Sequence, residues 1–373
     1  MPERRLAVID IKPGEAMESQ SGLQMKAPRI YGAYEEPAGG KRWAAAIMHP
    51  TSNFMGHYLI SPLARRGVCC LGVNSRYAGS DVALLMERVI QDLGAAVAFL
   101  KGLGYQRVAL IGNSGGGALA AFYQAQAEKL TITRTPTGDP IGLVPSDLPR
   151  ADAIILTAAH AGRSRLFTEW IDPALKDEHD SLSIDQSLDV YDPRNGPPFS
   201  SEFLHRFRAG QRARRDRIEG WVTGRLAQLR AIPDGPRDEA FIIHRTQADP
   251  RLIDPTIDAN DRPKGSIWGP AKAVNQAANA MGRFTTLTAF MSQWSSRSHA
   301  DGPKSLAATS VPVLLIEHTA DASTFPSTRD AWLQAAGKRA QHHMLRGGTH
   351  YLEDQPELIE ETADRIVAFL ERV

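Results

Sequence analysis

The sequence predicts an α/β fold, with a mostly parallel central sheet flanked by helices and interrupted by a largely helical cap insertion. Three observations predict it. Short, continuous apolar runs alternate with segments of helical period, as in a sheet whose strands are buried on both faces. Several of those runs end in glycine-containing turns. The alternation then breaks between 163 and 305, where the chain is rich in Arg, Asp, Pro and Trp and helical in rhythm.

Taken in order, "RRLAVIDI" (4–11) and about 24–36 read as two early strands joined by a Gly- and Ser-containing loop. "WAAAIMHP" (43–50) and "GVCCLGVNS" (67–75) are apolar enough for strands covered on both sides. Residues 81–101 carry apolar side chains at helical spacing, with Asp81 placed as an N-cap. "RVALIG" (107–112) is a further buried strand, followed by the turn "NSGGG" and a helix over 118–130. "ADAIILTAAHAG" (151–162) and "SVPVLLIEHTA" (310–320) are the next strands, "QHHMLRG" follows with His342 and His343 in the strand, and 356–373 forms a terminal helix. Between them, Phe203, Phe207, Ile218, Trp221, Val222, Leu226 and Leu229 recur at helix-face intervals. The predicted division is therefore a core of 1–162 and 306–373 with a helical cap over 163–305. The cap would lie over the C-terminal edge of the sheet, where open α/β sheets bind ligands.

Composition excludes little else. Of 373 residues, 42% are hydrophobic and 23% charged, and the net charge is +1, so no global field favours nucleic acid or a membrane surface. The start "MPERRLAVIDIKPGE" has no apolar core of a signal peptide, and no run approaches the ~18 apolar residues of a spanning helix. A cytoplasmic location is expected. The two cysteines, Cys69 and Cys70, are neighbours that a strand would point to opposite faces, so they read as buried small hydrophobes in a reducing compartment, not as a disulfide or metal pair.

Residues 111–117, "IGNSGGG", carry the chemistry. A phosphate loop needs Lys and Ser/Thr after its last glycine, but Ala118 and Leu119 stand there. A dinucleotide fingerprint, forced as Gly115, Gly117 and Ala120, lacks the following acid in any suitable place near Glu128. The pattern Gly-x-Ser-x-Gly fits as Gly112, Ser114 and Gly116, behind a strand and ahead of a helix. A serine at such a sharp bend needs small neighbours two residues away on each side.

A nucleophilic serine needs a base, and the base an orienting acid. Asp321 closes the strand "VPVLLIEHTAD", and His350 sits in the glycine loop "RGGTHYL" after the next strand, giving the order Ser, Asp, His. Glu317 is a rival acid. His160, after an earlier strand, can line the pocket but stands in the wrong order to be the base. An oxyanion hole takes one backbone N–H from the residue after the serine, Gly115, and another from the loop after an earlier strand. In "IMHPTSNF", His49 ends that strand and Pro50 has no N–H, so Thr51 is the expected donor and Ser52 the alternative.

With these residues in place the chain resembles the α/β-hydrolase fold superfamily over roughly 40–162 and 306–373. The resemblance implies Ser114 as nucleophile, Asp321 as acid, His350 as base, and Thr51 and Gly115 as oxyanion donors. Pro50 departs from the glycine usual after the strand-end histidine. The implied activity is that of a serine hydrolase, by default on a carboxylic ester, acting on a small to medium organic substrate held under the cap, with no cofactor and no metal. The alternatives are hydrolysis of a C–C bond in a diketone-type ring-cleavage product, to which "GNS" is similar, and a non-catalytic ligand-binding scaffold. Homo-oligomerisation stays open.

Two features bear on the pocket. "RFRAGQRARRDR" (206–217) holds six arginines, read either as a solvated helix face or as the source of one pocket arginine for a substrate carboxylate. Trp268, Phe290 and Trp294 either wall an apolar pocket or fill a core.

Overall fold

A computed structural model describes residues 3–14 and 27–373. The central sheet has eight strands: β1 (Arg4–Asp10), β2 (Arg29–Glu35), β3 (Trp43–His49), β4 (Val68–Asn74), β5 (Arg107–Asn113), β6 (Ala153–Thr157), β9 (Val313–His318) and β10 (Ala340–Leu345). Their order across the sheet is β1-β2-β4-β3-β5-β6-β9-β10. The first two strands pair antiparallel with their neighbours, and every later pairing is parallel. The second strand begins at Arg29; residues 24–26 of the expected strand, and residues 15–23 of the loop before it, lie outside the described residues.

Period-two alternation explains why the central strands read as unbroken apolar runs. In β3, Ala44, Ala46 and Met48 enter one core layer, while Trp43, Ala45 and Ile47 enter the other. In β4, Cys69 and Cys70 divide in the same way, and both are free thiols. The first layer is closed by α2 (Met86–Gly102), α3 (Gly116–Glu128) and α9 (Pro326–Ala336), through residues such as Ile90, Phe122 and Trp332. The second is closed by α1 (Ile60–Arg65) and α10 (Pro356–Leu370), through Leu63, Ile366 and Phe369. Each fully buried Leu, Ile or Phe contributes roughly 1.5–3 kcal/mol of transfer free energy, so two such layers fix the sheet firmly.

One expected cap is different. Helix α2 starts at Met86, with Leu85 at its N-cap position and no side-chain cap. Asp81 instead accepts a hydrogen bond from Arg163, at 2.9 Å.

Between β6 and β9 the chain leaves the sheet. The insertion contains α4 (Arg163–Trp170), the 30-residue α5 (Ser201–Arg230), β7 (Ala240–Ile242), α6 (Ala271–Gln276), β8 (Phe284–Thr286) and α7 (Leu287–Gln293). Long irregular loops join them, so helical rhythm describes α5 better than it describes the rest. Helix α5 is capped by the Ser200 hydroxyl, which accepts the Phe203 N–H. Its Ile218, Val222, Leu226 and Leu229 form one stripe that packs on Phe290, Met291 and Trp294 of the insertion's own core. Trp221 falls off that stripe: it is 46% exposed and rests against Phe241. Helix α8 (Gly302–Ala307) leads back to the sheet, packed on α3 and α9.

Candidate active site

The site lies beyond the C-terminal ends of the parallel strands. Ser114 follows β5 with φ of 53°, a left-handed conformation that a serine adopts only under constraint. Neighbouring backbone holds it from both sides: its N–H donates to Ala158 O (3.2 Å) and its carbonyl accepts the His160 N–H (2.9 Å). The flanking glycines are required by close approach. A Cβ on Gly112 would meet Gly117 Cα at 2.7 Å, and one on Gly116 would meet Met48 O at 2.5 Å. Larger residues would push the bend open.

Three residues distant in sequence meet here. The Ser114 hydroxyl lies 3.0 Å from His350 Nε2, and His350 Nδ1 lies 2.8 Å from Asp321 Oδ2. Asp321 and His350 are both buried. The Asp321 carboxylate also accepts N–H groups of Ser323 and Thr324 and the Thr324 hydroxyl, at 2.7, 3.1 and 2.6 Å. Burial by itself would raise the Asp321 pKa; the facing His350 ring, its hydrogen bond and the Thr324 hydroxyl reverse that and hold it at about 2. Asp321 is thus a loop residue saturated by its own turn, and helix α9 begins later with no side-chain cap. The rival Glu317 is occupied elsewhere, with Arg329 at 2.8 Å and His342 at 3.0 Å.

His318, at the end of β9, was not singled out by sequence reasoning. Its Nδ1–H donates to Thr349 O at 2.7 Å and its Nε2 accepts the Thr157 hydroxyl at 2.9 Å, so one buried imidazole ties β6 to the loop that carries His350. Its only sequence signal was an apolar strand ending in histidine.

The backbone N–H groups expected to form an oxyanion hole have different fates. The Gly115 N–H stands at the N-terminus of α3 and has no partner among the described residues. The Thr51 N–H, expected as the second donor, and the Ser52 N–H, its alternative, both point to His49 Nδ1, at 3.1 and 2.9 Å. Burial first, then the nearby Arg163, lowers the His49 pKa well below the ordinary histidine value.

These groups open on a cavity of about 890 Å³, lined from the sheet side by Ser114, His160 and Tyr351 and from the insertion by Arg163, Trp268 and Met281. None of the six arginines of 206–217 lines it. Arg214 is instead fully buried, paired with Glu178 and bonded to the carbonyls of Asp172, His244 and Arg245, while Arg208 pairs with Asp249. The pocket arginine is Arg163, at the start of α4. It bonds Asp81, Gln293 and the Thr51 hydroxyl and lies 4.8 Å over the Trp294 ring. Its charge is therefore matched by Asp81 before any substrate enters. Of the three aromatics, only Trp268 reaches the cavity; Phe290 and Trp294 belong to the insertion's core.

His57, also on the cavity wall, is neutral at ordinary pH. Burial lowers its pKa to about 4, against a small opposing effect of its contact with Asn113. The unfolded chain takes up a proton near pH 6.5 and the folded chain only near 4. Stability is thus complete above about 6.5 and falls as pH drops through that window, by roughly 3 kcal/mol for this group alone. We expect the melting temperature to fall between pH 7 and pH 4, with a shallower slope in His57→Gln, as read by thermal melts. An unchanged slope would contradict the assignment.

No protein-family model matches the chain, and no curated protein sequence matches it. Solved structures do. The α/β hydrolase GrgF from Penicillium sp. sh18 superposes with a TM-score of 0.52 at 12% identity, covering 99% of this chain and 98% of that one. The structure of DcsB in complex with its substrate analogue gives 0.53 at 13% identity, covering 99% of each chain. At these identities the likeness is one of fold.

Proposed function

We propose, from the premise that the chain has the α/β-hydrolase fold, that it is a serine hydrolase acting on a carboxylic ester held between the sheet and the insertion, which serves as a cap. The observation that carries this reading is the hydrogen-bonded series Ser114–His350–Asp321, at 3.0 and 2.8 Å, on a strained serine that opens into a cavity. A non-catalytic scaffold has no use for that strain, which costs of order 1–3 kcal/mol.

The chemistry follows from the geometry. His350 Nε2 takes the Ser114 proton as Oγ attacks the carbonyl carbon, and the Gly115 N–H stabilises the oxygen that becomes negative. His350 returns the proton to the leaving alkoxide and then takes one from water, which attacks the acyl carbon; His350 passes that proton to Ser114 Oγ as the acid leaves, restoring the free hydroxyl. Asp321 holds the ring with Nδ1–H toward it and Nε2 free to accept, and stabilises the imidazolium. A cavity of about 890 Å³ suits a small to medium organic substrate.

The bond type is tested with p-nitrophenyl esters of graded acyl length beside a vinylogous diketone acid. Faster turnover of the esters supports the ester reading; turnover of the diketone alone replaces it with C–C hydrolysis.

A further inference from the structure

We infer that the second oxyanion donor is a side chain, the Nε2–H of His49, and not a backbone N–H of the loop after β3; the inference rests on Ser114 being the nucleophile. Three observations meet at this ring. Its Nδ1 accepts two backbone N–H groups, from Thr51 at 3.1 Å and Ser52 at 2.9 Å, so Nδ1 carries no proton and the neutral ring is the Nε2–H tautomer. The same bonds consume the two N–H groups that would otherwise complete the hole.

The other edge of the ring lies against the nucleophile's neighbour. A Cβ on Gly115 would sit 2.6 Å from His49 Nε2, nearer than to any other atom. Gly115 has φ of −60°, which any residue adopts, so its backbone does not require glycine. The His49 ring does. Nε2 has no partner among the described residues, and His49, Ser114 and Gly115 line the same cavity. Nε2 thus lies beside Gly115 at the cavity wall, and in the inferred hole its N–H and the Gly115 N–H serve one oxygen.

The surroundings keep the ring a neutral donor. Burial disfavours a second proton on His49, and the cation of Arg163, fixed by Asp81 and by the Thr51 hydroxyl at 2.9 Å each, adds to that effect. A neutral imidazole donates one hydrogen bond and has no mobile proton to lose to the intermediate. Pro50 assists: lacking an N–H, it leaves the next two residues to close the turn onto Nδ1. His49 transfers nothing; it binds the oxygen more tightly as negative charge develops there.

Two substitutions separate this role from a structural one. His49→Asn keeps an acceptor near the Nδ1 position for the turn but has no donor at Nε2. His49→Gln reaches the Nε2 position with an amide N–H but leaves the turn unbonded. Turnover of a p-nitrophenyl ester and inhibition by a trifluoromethyl ketone, which adds to Ser114 as a tetrahedral oxyanion, are measured for each. His49→Asn is expected to lower kcat about 10²–10³-fold with KM nearly unchanged and to weaken the ketone by a similar factor, the range for loss of one such donor. His49→Gln should retain more activity than His49→Asn. Parent-like kcat in His49→Asn, or a greater loss in His49→Gln, would overturn the inference and leave His49 a turn residue. If His49→Asn does not fold, Gly115→Ala, whose methyl displaces the ring, carries the same expectation for kcat and the ketone. A parent enzyme with no Ser114-dependent turnover overturns the hydrolase reading and this inference together, whereas active parent with active His49→Asn overturns this inference alone.

Discussion

Asp321→Asn is expected to lower kcat by about 10⁴-fold while the protein stays folded. The asparagine oxygen can still accept the Ser323 and Thr324 N–H groups that the carboxylate holds at 2.7 and 3.1 Å. Its amide, however, presents N–H to His350 Nδ1. The ring then carries its proton on Nε2, facing Ser114, and cannot accept one. The loss is one of tautomer, so the binding of uncharged substrate should hardly change. Glu317→Gln is the control. Its carboxylate serves Arg329 and His342 and makes no bond to Ser114, His350 or Asp321, so kcat should stay within about twofold. Full activity in Asp321→Asn with loss in Glu317→Gln would transfer the acid to Glu317.

The second large effect is non-additive. Ser114→Ala and His350→Ala should each reduce ester turnover by roughly 10⁴–10⁶-fold, and the double variant should be no worse than either single one, because the pair acts as a unit. Additive losses would mean that the two residues, 3.0 Å apart, act independently.

The elements that carry this site differed in how openly the sequence displayed them. The elbow was legible because its demand is local: Gly112 and Gly116 leave room for Cα and carbonyl atoms that pass within 3 Å of where a Cβ would stand. Asp321 and His350 were legible as the candidate acid and base because each stands in the loop that follows a parallel strand, and parallel strands bring such loops to one edge. The fate of Cys69 and Cys70 followed from period-two alternation, which sends neighbours in a strand to opposite faces.

What escaped was hydrogen-bond direction and side-chain choice between distant segments. Thr51 has the right position for an oxyanion donor, but its N–H turns to His49 Nδ1, a consequence of the path after Pro50 that spacing does not encode. The arginine-rich run of α5 drew attention by density, yet its members answer the insertion's own acids, and Arg214 is fully buried among carbonyls. The pocket cation, Arg163, was a single residue just after "AHAG". Its significance depends on Asp81 and Gln293, which lie far from it in the chain. Asp81, read as a cap, could not show its true partner for the same reason.

The most direct test of the central claim is covalent capture of the nucleophile by a fluorophosphonate. Ser114 Oγ would attack phosphorus, fluoride would leave, and His350 would take the hydroxyl proton. Peptide mass mapping should find one adduct per chain, on Ser114, absent from Ser114→Ala and formed far more slowly in His350→Ala. No adduct on the parent protein, or equal labelling of Ser114→Ala, would contradict the account.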